Sequence, residues 1–398
     1  MERIAIVGAS LAGMRAATTL REQGFSGSIT VVGDEPHPPY DRPPLSKHFL
    51  AGKWDEARIA LVASDKLDAL SLDLRLGHKA VFFDSDAHEV ELDDGSRVRF
   101  DKALVATGSH PRLLPGTELS PSVMTLRTLD DSRRLASLIC PGSRIVVVGG
   151  GFIGSEVAAT AIGLGADVTV LEALEVPLGR VLGLEVGSAC AALHRDHGVD
   201  VRTGTGVAGV TEGDDGARVA LADGATIESD VVVVGIGIVP TVDWLVGSGL
   251  EIDDGVVVDS TLHATDDVLA AGDVARWPDL QYGVTVRSEH WTNAAEQGAV
   301  AAHNLLAGRA AAEPYRPVPY IWSDQYDIKI QVLGSPRPDD TVEVVDGSIE
   351  EGRFVAVYGR QNLLTAAVGF GRPRQLMGFR PLIIEGATFD QALALLAD

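Results

Sequence analysis

Two glycine-rich turns are the segments of this 398-residue chain best suited to chemistry: Gly8-Ala9-Ser10-Leu11-Ala12-Gly13 and Gly149-Gly150-Gly151-Phe152-Ile153-Gly154. Glycines let a backbone approach a pyrophosphate, whose charge is met by the unpaired N–H groups and positive dipole end of a following helix. A short glycine pattern also matches unrelated loops, so the setting decides. Each turn follows an apolar run and precedes an acid. Asp34 stands 21 residues after Gly13 and Glu172 stands 18 after Gly154, near the spacing of about 20 expected of a ribose-binding carboxylate. Such an acid accepts hydrogen bonds from two ribose hydroxyls and repels a 2′-phosphate. Ala173-Leu174-Glu175 offers no arginine, so the second turn implies NAD rather than NADP. A chain that binds two dinucleotides can hand a hydride from one to the other. One position departs from the pattern: Ser10 replaces the middle glycine of the first turn, which sets that loop further from its pyrophosphate.

The elements that position these turns follow from apolar runs and their breakers. Residues 4–7 read as a buried parallel strand, 11–23 as a helix stopped by Gly24, and 29–32 as the strand that delivers Asp34. The second unit repeats this, with a strand over 144–148, an alanine-rich helix reaching Leu164 and a strand over 168–171 that ends on Glu172. A strand ending in Ala106-Thr107-Gly108 extends the first unit. A strand over 231–234 with the turn Gly235-Ile236-Gly237 closes the second, and Pro240 bars a helix there. The run 268–271 ends in Gly272-Asp273, ahead of a helix over about 288–306. From Pro317 the pattern becomes alternating at Ile328, Ile330 and Val332. A run over 342–345 leads to a turn at Asp346-Gly347, and further runs cover 354–358 and 363–368. This is hairpin-type antiparallel sheet, with a last helix near 388–396. The fold class is therefore α/β, with two Rossmann-like dinucleotide-binding domains, the second inserted into the first, and a C-terminal α+β domain built on antiparallel sheet. The expected boundaries are 1–111 and 241–316 for the first domain, 112–240 for the second and 317–398 for the third.

A hydrophobic share of 45% with 22% charged residues is that of an ordinary globular protein, long enough for two or three domains. No run of eighteen apolar residues occurs, which argues against a membrane span. Glu2, Gly8, Gly13 and Arg15 interrupt any signal-peptide core, which points to the cytoplasm. A net charge of −23 argues against nucleic acid or anionic membrane as partners. Only Cys140 and Cys190 occur, without a Cys-x-x-Cys pair, so neither a disulfide framework nor a metal site is indicated, and both read as buried small hydrophobes. An enzyme that passes flavin electrons to a disulfide needs a cysteine pair that this chain lacks.

Several segments together resemble one family. Pro39-Tyr40-Asp41-Arg42-Pro43-Pro44-Leu45-Ser46-Lys47, Ala106-Thr107-Gly108-Ser109, Gly151-Phe152-Ile153-Gly154-Ser155-Glu156, Leu269-Ala270-Ala271-Gly272-Asp273-Val274, Glu289-His290-Trp291-Thr292-Asn293-Ala294 and Tyr320-Ile321-Trp322-Ser323-Asp324-Gln325 are similar to those of the FAD-containing, NADH-dependent ferredoxin reductases. These serve bacterial cytochrome P450 and ring-hydroxylating dioxygenase systems. The likeness covers nearly the whole chain and implies a glutathione-reductase-like fold, FAD and NAD as cofactors, and a [2Fe–2S] ferredoxin as acceptor. It implies that Asp34 binds the adenosine ribose of FAD, that Arg42 and Lys47 lie along the flavin with Lys47 near N5, and that Arg127 and Asp273 hold its middle portion. Gly8, Ser10, Gly13, Val81, Thr107, Gly108 and Trp291 complete that set. Gly149, Gly151, Ile153, Gly154, Glu172, Gly235, Ile236 and Gly237 fall to NAD, and Lys47 with Glu156 form the catalytic pair.

Read without the family, Lys47 is equally a solvated surface lysine, Glu156 a carboxylate favoured by a helix N-terminus, Asp273 a helix cap, and Trp291 core packing. Thr241, where the family carries Asn after Pro240, is a departure. Arg287, Arg316, Lys329, Arg372 and Arg374 are candidates for a basic docking surface. A rubredoxin or monodehydroascorbate reductase, or an NADH-sensing flavoprotein like apoptosis-inducing factor, would use the same scaffold.

Overall fold

Runs of β-branched residues become the central strands of two parallel sheets, where both faces are covered and no polar alternation is needed. The computed structural model describes residues 1–117, 119–213 and 216–395. These divide into two compact units, one of residues 1–41, 55–110 and 238–317, the other of residues 42–54, 111–237 and 318–395.

In the first unit Arg3–Val7 pairs in parallel with Ser28–Gly33 on one side and Lys102–Val105 on the other, and Asp73–Leu76 and Val268–Ala270 extend the sheet. The helices Leu11–Glu22 and Trp291–Ala307 pack against each other. At Gly298 an added Cβ would lie 2.4 Å from Ala12 O, so only glycine permits that approach. The helix expected over 288–306 starts at Trp291 because His290 keeps an extended backbone as its N-cap, while Asn293 Nδ2 donates to Ser288 O. Smaller sheets accompany the parallel one, an antiparallel one formed by Ala80–Asp84, Glu89–Leu92 and Arg97–Arg99, and a mixed one in which Ala275–Asp279 pairs in parallel with Val256–Val257 and antiparallel with Val284–Arg287.

The second unit repeats the plan. Arg144–Val148 pairs in parallel with Asp167–Leu171 and Val231–Val234, flanked by Asp200–Arg202 and Val123–Met124. Ile145 and Val147 on one face of the central strand, Val146 and Val148 on the other, are all buried, each worth about 1.5–3 kcal/mol relative to exposure. Gly179–Asp196 is a helix with a non-helical Gly183 inside it. The C-terminal part is a five-stranded antiparallel sheet in the order Tyr320–Gln325, Ile328–Gly334, Leu363–Phe370, Arg353–Arg360, Thr341–Ser348.

Three expectations change here. The strand Thr341–Ser348 runs through Asp346-Gly347 instead of turning there. Its register slips between Val344 and Asp346, Gly347 takes φ +68°, and the chain reverses over 349–352, where Gly352 N donates to Ile349 O. The slip leaves Val345 as the extra, bulged residue, while Asp346 and Gly347 stay paired with Val355 and Phe354 inside the strand. The helices Pro373–Met377 and Phe379–Glu385 appear where none was read. The last helix is Phe389–Ala394, capped reciprocally by Thr388 and Gln391, and Leu396 lies outside the described residues.

Candidate functional site

The first unit gathers its glycine turn, a strand-end acid and a polar strand end. Gly8 sits at φ +124° with its amide donating to Val32 O at 2.8 Å. An added Cβ would lie 2.0 Å from Ala106 O at Gly8 and 1.9 Å from Gly8 O at Gly13. Ser10 forms the extended N-cap of the helix without a capping side-chain bond. Asp34 follows the second strand and is exposed. Thr107 Oγ1 donates to Thr241 O at 2.9 Å, and Thr241 N donates to Gly108 O. The main chain of Thr241, which any residue supplies, is thus what ties it to the Thr107-Gly108 turn. Asp273 Oδ2 accepts from Ser109 Oγ at 2.8 Å within the 3-10 turn Gly272–Val274, and Gly272 N donates to Gln297 Oε1. Asp273 caps no α-helix. Trp291 is 38% exposed, with its Nε1 donating to Asp41 Oδ1 at 2.6 Å, so core packing does not account for it. Val81 is likewise exposed. Burial pushes His290 down to about 4, with the charge of Asp273 opposing.

The second unit holds the other turn. Gly149 sits at φ +103°; its added Cβ would lie 2.4 Å from Gly235 O, and that of Gly154 2.0 Å from Gly149 O. The middle residue Gly151 differs: its added Cβ meets nothing nearer than 4.0 Å. The packing of the chain explains the outer glycines, whereas Gly151 leaves room on the side from which a pyrophosphate would come, and the donor set there fits a dinucleotide. Glu172 is held by its own turn, with Oε2 accepting from Gly150 N at 2.7 Å and Oε1 from Leu174 N at 2.8 Å. The carboxylate is thereby aimed while each oxygen retains a lone pair for a ribose hydroxyl. Ile153 is exposed, Ile236 partly buried, and Gly237 takes φ +111°.

Lys47 and Glu156 meet in this unit. Their charged atoms are 2.9 Å apart, with side chains 10% and 3% exposed, so the surface-lysine reading fails. Glu156 lies in the first turns of the helix Phe152–Gly163, where the dipole favours an anion. It also accepts from Ser46 Oγ at 2.5 Å and Ser323 Oγ at 2.8 Å. Pro43–Ser46 forms a 3-10 turn pinned by Ser132 Oγ on Leu45 O and Thr160 Oγ1 on Ser46 O, both at 2.7 Å. Arg42 donates to Arg127 O at 2.7 Å. Four donors on this turn and pair, Ser46, Ser132, Thr160 and Ser323, had no role in the sequence reading. Ser46 and Ser323 lay inside the motifs quoted for the resemblance; Ser132 and Thr160 carried no signal.

Two readings are corrected. Cys140 is exposed, and only Cys190 is the buried small hydrophobe expected of both, its thiol pushed up to about 12 by burial. Arg287 is 10% exposed and paired with Asp254 and Glu289, which removes it from a basic docking surface.

A glycine turn with its strand-end acid in each unit, and in the second unit a buried lysine–carboxylate pair, define a dinucleotide-dependent oxidoreductase. The family described as pyridine nucleotide-disulphide oxidoreductase matches residues 2–298, and a second description, reductase C-terminal, matches residues 320–398. The chain belongs to the pyridine nucleotide-disulphide oxidoreductase family. It is 39% identical to rhodocoxin reductase of Rhodococcus erythropolis over 384 residues, 96% of this chain and 89% of the relative. With putidaredoxin reductase of Pseudomonas putida it shares 34% identity over 392 residues, 96% of this chain and 92% of the relative. Among solved structures, the covalent putidaredoxin reductase–putidaredoxin complex matches with a TM-score of 0.93 at 33% identity, covering 98% of this chain and 95% of that one. Among the described residues no helix is long and apolar enough to cross a membrane.

Proposed function

We propose that this chain is a cytoplasmic FAD-containing NADH:ferredoxin reductase, which delivers electrons singly to a [2Fe–2S] ferredoxin serving a cytochrome P450 or a ring-hydroxylating dioxygenase. The observation that carries this reading is the presence of two glycine cradles, each with its own strand-end acid, in a chain whose two cysteines are both free. The relatives add the acceptor: their names are those of reductases for rhodocoxin, putidaredoxin and dioxygenase systems.

In this reading Gly8, Ser10, Gly13 and Asp34 take the adenosine diphosphate end of FAD. Thr107, Gly108, Asp273, Arg42, Arg127, Val81 and Trp291 serve the rest of that cofactor. Gly149, Gly151, Ile153, Gly154, Glu172 and the 235–237 turn take NADH. When bound, the nicotinamide supplies a hydride and the flavin accepts it and releases electrons one at a time. The protein supplies position and charge. Lys47 offers an ammonium that stabilises negative charge on a reduced ring, and Glu156, fixed by Ser46 and Ser323, holds that ammonium in one place.

The test is anaerobic addition of NADH to the purified yellow protein, followed by a [2Fe–2S] ferredoxin and cytochrome c. Fast bleaching and ferredoxin-dependent cytochrome reduction are expected. A colourless protein that takes up no FAD, a flavin that stays oxidised, or turnover with rubredoxin alone would refute the reading.

A further inference from the structure

Behind the Lys47–Glu156 pair, within the same unit, buried polar side chains form two hydrogen-bonded runs, Gln325–Ser323–Glu156 and Tyr326–His194. Ser323 and Gln325 stand two residues apart on the Tyr320–Gln325 strand, hence on one face, and neither is exposed. Gln325 Nε2 donates to Ser323 Oγ at 3.1 Å, and Ser323 Oγ donates in turn to Glu156 Oε1. In the other run Tyr326 Oη lies 2.8 Å from Nδ1 of His194, which is 1% exposed. Two buried atoms remain without an aligned partner, His194 Nε2 and Gln325 Oε1. One can donate and the other accept, and Gln325 acts on His194 as a hydrogen-bonding neighbour.

The protonation states give these runs a direction. Burial brings His194 down to about 4 and raises the Tyr326 phenol, so at neutral pH the ring is neutral and the phenol keeps its proton. Tyr326 then donates to Nδ1, which leaves Nε2–H as the donor of the ring, and from Gln325 onward each donor points toward Glu156. His197 stacks on the Tyr326 ring, with centroids 3.7 Å apart. Tyr326 sits at φ +56°, a backbone state that a bulky residue occupies only when its surroundings hold it there.

We propose that Ser323, Gln325 and His194 are positioning residues whose aligned donors share the negative charge of Glu156, and so determine how much of the Lys47 charge is left for a reduced cofactor. The proposal rests on the role given to Lys47 above. Each donor that Glu156 accepts weakens its hold on the ammonium. Without the Ser323 hydroxyl, Oε1 turns to Lys47 alone and neutralises it more fully, as expected for charge-assisted bonds in a site of low dielectric.

The test is the midpoint potential of the flavin in the FAD-loaded protein, measured by reductive titration against a reference dye. Lys47→Gln should make reduction less favourable by about tenfold in the equilibrium constant. Ser323→Ala should shift it the same way by about threefold, near half of one charge-assisted bond. Gln325→Met and His194→Phe, further from Glu156, should shift it progressively less, and Ser323→Thr, which keeps the hydroxyl, should restore the wild-type value. A wild-type potential in Ser323→Ala beside a shifted Lys47→Gln would overturn the proposal and leave the Lys47 reading intact. So would Ser323→Thr behaving like Ser323→Ala. An unshifted Lys47→Gln would overturn the Lys47 role and the proposal with it. Should Ser323→Ala fail to fold, Gln325→Met decides: a shift in the same direction supports the proposal, and none refutes it.

Discussion

The two glycine turns share a plan and differ at its centre. In both, the outer glycines are enforced by the chain's own backbone: a Cβ at Gly8 or Gly13 would meet Ala106 O or Gly8 O, and one at Gly149 or Gly154 would meet Gly235 O or Gly149 O. The middle position answers to something else. It is Ser10 in the first turn and Gly151 in the second, where the space beside the missing Cβ is open. The acids differ too, since Asp34 is exposed while Glu172 is bound to the amides of Gly150 and Leu174. The contrast teaches that the glycines of this motif do separate jobs. The outer two allow the turn to fold, and the middle one is left free of that packing.

The strongest way to break that comparison is to give the outer glycines a side chain. Gly13→Ala and Gly154→Ala each place Cβ about 2 Å from a carbonyl oxygen, so each turn must move, weakening its own cofactor by at least about a thousandfold, or 4 kcal/mol. Gly13→Ala should purify without flavin colour, whereas Gly154→Ala should stay yellow and not bleach with NADH. Loss of both cofactors from either variant would show that the turns are not independent.

Acid extends the comparison to one imidazole in each unit, His194 and His290, both held near 4 by burial. An unfolded histidine near 6.5 takes its proton first. The stability associated with the neutral rings is therefore complete above pH 6.5, falls between 6.5 and about 4, and is gone below. For His194 the loss reaches up to about 3 kcal/mol. Urea unfolding from pH 7 to 4.5 should show this slope and lose the His194 share of it in His194→Phe; an undiminished slope would contradict the assignment.

Cofactor choice sharpens the contrast between the acids. NADH should exceed NADPH in kcat/KM by more than about tenfold, and Glu172→Ala should bring the two within about threefold. The smallest effects belong to the middle position: Gly151→Ser should weaken NADH by about tenfold, and Ser10→Gly should tighten FAD by about threefold. Unchanged affinity in both would remove any ligand role from that position.

The parallel strands and the two turns could be read from the sequence because valine and isoleucine runs, glycines and acids recur at set spacings in one stretch of chain. The Lys47–Glu156 partnership came from a family likeness, since residues 109 positions apart carry no local sign of contact. The helix Gly179–Asp196 escaped notice because Gly183 and Gly187 interrupt its pattern. Asp346-Gly347, beside the bulge at Val345, was read as a turn because local preference sees the glycine but not the pairing partner across the sheet. Ser132 and Thr160 act through hydroxyls on distant carbonyls, which only the folded chain brings together.

That bulge has a colloidal consequence. Thr341–Ser348 is one of the two edge strands of its sheet, and a slipped register there, with Glu343 and Asp346 along it, spoils the flat row of amides that another molecule could zip onto. The kink thereby guards this edge against strand pairing with a second molecule.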